Sequence, residues 1–187
     1  LNIDIKKNTH TILTGPNGSG KSTLLGLIAG VFYSQKGKVY TSYEKFGYIG
    51  AVPLIFTGTL RENLLYGNEL DIVDDKIIDY LEDFNTFNEK SGYDLDRIVD
   101  NKSLSSGQMQ KIAFIRALLS DIEILLLDES TANLDDQSRD YIFKILKSKK
   151  ITIINSTHDP EKFLDVDSRL HINVANESRK IVDKDYI

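Results

Sequence analysis

The sequence predicts an α/β fold: a mostly parallel sheet with helices packed on it, a small antiparallel β portion, and a helical lobe inserted at about residues 58–104. Three observations carry that expectation. The apolar stretch from Thr9 to Thr14 runs through a glycine-rich turn into TLLGLIAG, the opening of a strand–turn–helix unit. Ile122 to Leu127 is almost continuously apolar, as strands covered on both faces of a parallel sheet are. Ile151 to Ile154 repeats that character on a shorter scale, after a helical segment.

In chain order, the first strand covers Thr9 to Thr14, and Gly30 is placed to end the helix after it. Between Gly37 and Ile49 two β-type runs, Lys38 to Tyr40 and Phe46 to Ile49, predict antiparallel strands. Thr59 to Tyr66 reads as a helix, because Thr59 and Glu62 are spaced as a capping box and Gly67 follows. Asp74 to Phe84 places Ile77, Leu81 and Phe84 on one helical face. Asn85 to Ser103 is polar and without periodicity. A helix from about Ser106 to Leu119 precedes the Ile122 strand, which ends in Asp128-Glu129. Asp135 to Lys147 is helical, Ile151 to Ile154 is a buried strand ending near His158, and the alternation of Leu170, Ile172 and Val174 predicts a last, partly exposed strand.

A length of 187 residues fits one domain, 1–187, whose lobe extends through the helix reaching about residue 119. The net charge of -5 and a pI near 5.2 argue against a general grip on nucleic acid, which needs clustered cations. The absence of cysteine excludes a disulfide scaffold, a thiolate metal site and a cysteine nucleophile. No run approaches the ~18–20 apolar residues of a membrane span, and no signal peptide opens the chain, so it reads as soluble and cytosolic. Because it begins at Leu1 and its single methionine is Met109, the expectation is a segment of a longer polypeptide.

Gly15-Pro16-Asn17-Gly18-Ser19-Gly20-Lys21-Ser22 matches the P-loop pattern at every specified position, which makes the predicted core a P-loop NTPase core. The glycines let successive backbone N–H groups form a nest for phosphate oxygens, and the helix that follows, with Thr23 in its first turn, points its positive end at the same anion. Lys21 would reach the terminal phosphates of a bound nucleotide as a point charge, and the Ser22 hydroxyl would ligate Mg²⁺. Asp128 closes the apolar strand, where open α/β sheets place their ligands, and would hold Mg²⁺ through water. Glu129, next along, is placed to act as general base on an attacking water.

Leu104-Ser105-Ser106-Gly107-Gln108 opens a helix upstream of that strand; with the P-loop and Asp128-Glu129 it resembles the nucleotide-binding domains of ATP-binding cassette (ABC) proteins. The pentad is similar to the family's LSGGQ signature, with Ser106 for its first glycine. It would offer phosphate a second surface through backbone N–H groups and the Ser105 hydroxyl. Ser130 to Asp135 resembles the family's D-loop, and His158 in Ser156-Thr157-His158-Asp159 resembles its switch histidine, which contacts the γ-phosphate. Phe56 to Leu64 is similar to the stretch after the Q-loop in exporter-type members, where the membrane domains are met.

The resemblance covers residues from about 1 to 182 and implies ATP binding and hydrolysis on the cytoplasmic side of a membrane, coupled to export. It implies a second nucleotide-binding domain, identical or different, as partner in an ATP sandwich. Transmembrane domains of the same parent polypeptide are the other implied partner. Ala51 stands where the Q-loop glutamine is expected, residues 97–103 lack the Glu and Gly common in exporters, and the adenine-stacking aromatic would lie upstream of Leu1. Two other readings stay open at this level: a soluble ABC ATPase with no membrane partner, and a catalytically weak regulatory module.

Overall fold

The structure, a computed structural model, describes residues 3–42, 45–87, 92–175 and 178–186. In chain order its elements are β1 (His10–Thr14), α1 (Lys21–Ile28), β2 (Phe46–Ile49), β3 (Gly58–Thr59), α2 (Leu60–Leu65), α3 (Asp74–Asp83), β4 (Ile98–Val99), α4 (Ser106–Leu119), β5 (Ile124–Asp128), α5 (Asp136–Ser148), β6 (Thr152–Ser156), β7 (Ser168–Ala175) and β8 (Ser178–Tyr186). Six strands form one sheet in the order β2-β5-β6-β1-β7-β8, and β3 and β4 form a separate antiparallel pair. β2, β5, β6, β1 and β7 run parallel; β8 turns back antiparallel on β7.

The central strand β5 explains the layering. Its side chains alternate, so Leu125 and Leu127 pack with Ile49, Ile153 and residues of α2, α3, α4 and α5, while Ile124 and Leu126 pack with Leu13, Ile154 and Leu25 of α1. The helix that follows the P-loop and the helix that opens with Ser105–Gln108 therefore lie on opposite faces of the sheet. Ile77, Leu81 and Phe84 are fully buried, as their spacing on α3 requires. α2 carries the expected capping box: the Thr59 hydroxyl accepts from Glu62 N at 3.0 Å, and Glu62 accepts from Thr59 N at 2.7 Å. Asp135 caps α5 and also meets Lys111 of α4 at 3.0 Å, which ties the two helices together.

Two expectations are corrected. Residues 38–40 form no strand, and Phe46–Ile49 pairs in parallel with β5 instead of antiparallel with a neighbour. Val39 and Tyr40 are exposed, so their β-type composition has no sheet to join. The antiparallel portion comes instead from β3–β4 and from the β7–β8 hairpin, whose second strand has no clear alternation to announce it.

His10 supplies a pH dependence. It is 7% exposed, stacks on Phe143 with ring centroids 4.9 Å apart, and donates from Nδ1 to the Asp165 carbonyl at 3.0 Å. Burial lowers its pKa from 6.5 to about 4, against the opposing pull of that hydrogen bond and of Asp167 and Asp165. Protonation thus favours the unfolded chain. The contribution is complete above pH 6.5 and is lost as pH falls toward 4, to the extent of about 3 kcal/mol. We expect the melting temperature to fall over this window and His10→Leu to flatten the fall; an unchanged slope in the variant would assign the acid sensitivity elsewhere.

Candidate functional site

Four neighbouring parallel strands end on one edge of the sheet and bring the site together. β1 ends in the P-loop, β5 in Asp128-Glu129, β6 just before His158, and β2 just before Gly50-Ala51. This is the carboxyl edge, where open α/β sheets bind ligands.

The P-loop is held by its own backbone. Ser19 N donates to the Pro16 carbonyl at 3.1 Å, and Gly20 takes φ 102 as it enters α1, a conformation that disfavours a side chain. Gly15 is needed for space, since a Cβ there would sit 2.8 Å from Ser19 Oγ and 3.0 Å from the Ile172 carbonyl. Pro16, Asn17 and Gly18 lie exposed on the rim, as do Ser22 and Thr23 in the first turn of α1, while Ser19 is buried with an unpartnered hydroxyl. Lys21 is 5% exposed. Its ammonium donates to the Gly15 carbonyl at 3.0 Å and lies 3.6 Å from Glu129 Oε1.

Glu129 is the hinge of the arrangement. Its φ of 55 is left-handed, which costs a non-glycine residue energy, and its N–H donates to the Ser156 carbonyl at 2.9 Å. That turn aims the carboxylate at His158, whose Nε2 is 2.9 Å from Glu129 Oε1. Lys21, Glu129 and His158, spread over 137 residues of sequence, thus share one carboxylate oxygen.

Asp128 sits beside them with its two oxygens in different situations. Oδ2 accepts from the Tyr48 hydroxyl at 3.0 Å; Oδ1 is buried and has no hydrogen-bond partner. Burial and the Asp128 contact push Tyr48 up to about 12, so it stays a donor. An unpartnered buried carboxylate oxygen at the end of β5 suits a hard cation that keeps most of its ligands as water and phosphate.

Ser105, Ser106, Gly107 and Gln108 are not brought to this cluster. They open α4, and Ser105 and Gln108 cap it reciprocally, with Gln108 N donating to Ser105 Oγ at 3.2 Å and Ser105 N to Gln108 Oε1 at 2.8 Å. Ser105 and Ser106 are exposed. Gly107 permits close packing, because a Cβ there would lie 3.0 Å from the Asn133 carbonyl in the Ser130–Asp135 segment.

Two contributors escape sequence reasoning. Tyr48 meets Asp128 only through the β2–β5 pairing, for which no local pattern exists. Gln110 is fully buried on α4 and donates from Nε2 to the Ala51 carbonyl at 3.0 Å, tying α4 to the end of β2.

Comparison with known proteins agrees with this geometry. The sequence profile described as "ABC transporter" matches residues 1–132. The chain is 32% identical to the ATP-dependent permease MDL1 of Candida albicans, with 98% of this chain and 29% of that protein aligned. It is 33% identical to a lactococcin transport/processing ATP-binding protein, LcnC-like, of Lactococcus lactis, with 98% of this chain and 27% of that protein aligned. The chain therefore spans less than a third of these relatives. Among solved structures, a bacterial Atm1-family ABC exporter with ATP bound superposes with a TM-score of 0.80 at 21% identity, over 91% of this chain and 33% of that one. From the P-loop, the strand-end carboxylates and these matches together, the chain belongs to the ABC transporter family, as one of its ATP-binding domains.

Proposed function

We propose that this domain hydrolyses ATP to drive export across a membrane, as the cytoplasmic nucleotide-binding domain of an ABC exporter. The observation that carries the reading is the convergence of Lys21, Glu129 and His158 beside Asp128 at the P-loop. Lys21, with the N–H groups of Gly18 and Gly20 and the positive end of α1, binds the phosphates of ATP. Phosphate competes with Glu129 for the Lys21 ammonium, and the freed carboxylate takes the proton of the attacking water. His158, at hydrogen-bond distance from Glu129, orients that carboxylate. Ser22 and Asp128 would hold Mg²⁺, which when bound neutralises charge on the phosphate oxygens.

Two partners follow. α4 and α1 lie on opposite faces of the sheet, so Ser105–Gln108 faces away from this chain's own P-loop and would complete the site of a second nucleotide-binding domain. The transmembrane domains would occupy the remaining length that the relatives have, since no helix of the described residues is long and apolar enough to cross a membrane. A groove of about 640 Å³ between β2 and the helices, edged by the exposed apolar residues Val52, Leu54 and Tyr66, supports docking of a membrane-domain segment there.

The test is Mg²⁺-dependent phosphate release together with ATP-dependent self-association of the intact domain. Absence of both overturns the reading. Ala51 sharpens it: the side chain is exposed and cannot coordinate, so turnover is expected to be slow. Ala51→Gln should raise steady-state phosphate release several-fold at saturating MgATP. Equal rates would show that the side chain at position 51 does not matter to this enzyme.

A further inference from the structure

We propose that Tyr48 is a positioning residue for the metal-site carboxylate, holding Asp128 through one oxygen so that the other is presented to the cation. The inference rests on the assignment of Asp128 to Mg²⁺ made above and deepens it.

The sheet dictates the contact. β2 and β5 pair in parallel with Tyr48 opposite Leu126, so the Tyr48 side chain lies on the face that carries Leu126 and, one pleat further, Asp128. Leu126 packs in the cluster that includes Leu25 of α1, so this is also the face on which the P-loop helix begins. From that position the phenol reaches diagonally to the strand end and donates to Asp128 Oδ2 at 3.0 Å. A shorter side chain could not span the pleat. Asp128 Oδ1 remains buried with no partner, which is costly unless a ligand meets it. Tyr48 removes the rotational freedom that would let the two oxygens exchange. With alanine at 51, its hydroxyl is the polar side-chain group that β2 and its end bring to Asp128.

Ligating carboxylates are commonly fixed by a hydrogen bond of this kind, and loss of such an outer partner costs ~10–100-fold in metal affinity. The experiment is Tyr48→Phe, which keeps the ring and removes only the hydroxyl. ATP affinity is measured by calorimetry twice, with excess Mg²⁺ and with EDTA. We expect affinity in Mg²⁺ to fall about tenfold, at the low end of that range, and affinity in EDTA to stay at the wild-type value. A purely structural role would lower both together. In an Asp128→Asn background the same change should cost nothing further, since the carboxylate to be positioned is gone. Equal loss with and without Mg²⁺, or no loss at all, overturns the role of Tyr48 while leaving the P-loop assignment intact. If wild-type affinity is itself indifferent to Mg²⁺, the assignment of Asp128 falls, and the proposal falls with it.

Discussion

Lys21→Ala should abolish tight binding of MgATP. The ammonium is folded back onto the Gly15–Ser22 loop, where it is held by the Gly15 and Pro16 carbonyls. Charge-assisted hydrogen bonds to phosphate are each worth about 1.5–3 kcal/mol, so losing two of them lowers affinity by roughly two orders of magnitude or more. The fold should survive, because β1 and α1 keep their backbone bonds and Leu25 keeps its place in the core. Calorimetry on a variant with wild-type circular dichroism is the check. Unchanged affinity would mean that the loop does not bind the nucleotide through Lys21.

Glu129→Gln should separate binding from chemistry. The amide matches the carboxylate in shape and tolerates the left-handed turn no worse, so the His158 contact can persist. It cannot accept the proton of the attacking water, and loss of a general base costs ~10²–10⁴-fold in rate. Affinity for ATP should be kept or should rise, since Lys21 no longer faces a competing negative charge at 3.6 Å. The variant is expected to accumulate as an ATP-bound dimer in size-exclusion chromatography. Wild-type turnover would remove Glu129 from the mechanism.

Local chemistry determined much of this protein from its sequence alone. The P-loop between β1 and α1, the reciprocal caps of α2 and α4, the apolar face of α3 and the buried run of β5 all rest on residues a few positions apart. Such features follow from helix and strand periodicity and from unpaired terminal N–H groups, which a short window contains in full. Their order along the chain was also enough to place it in its family, because a sequence of motifs needs no coordinates.

Tertiary structure decided what depends on pairing between distant segments. Phe46–Ile49 has the composition of an antiparallel strand, yet it lies parallel to β5 because the burial available beside Ile124–Leu127 outweighs any local hairpin preference. The same pairing places the Tyr48 hydroxyl on Asp128 across 80 residues of sequence. Likewise β1, β5 and β6 had to be adjacent before Lys21, Glu129 and His158 could share an oxygen. Alternation along β5, with one face turned to α1 and the other to α4, then separates the P-loop helix from the signature helix by the thickness of the sheet. Side-chain periodicity names which residues share a face; only the assembled sheet says which face meets which helix.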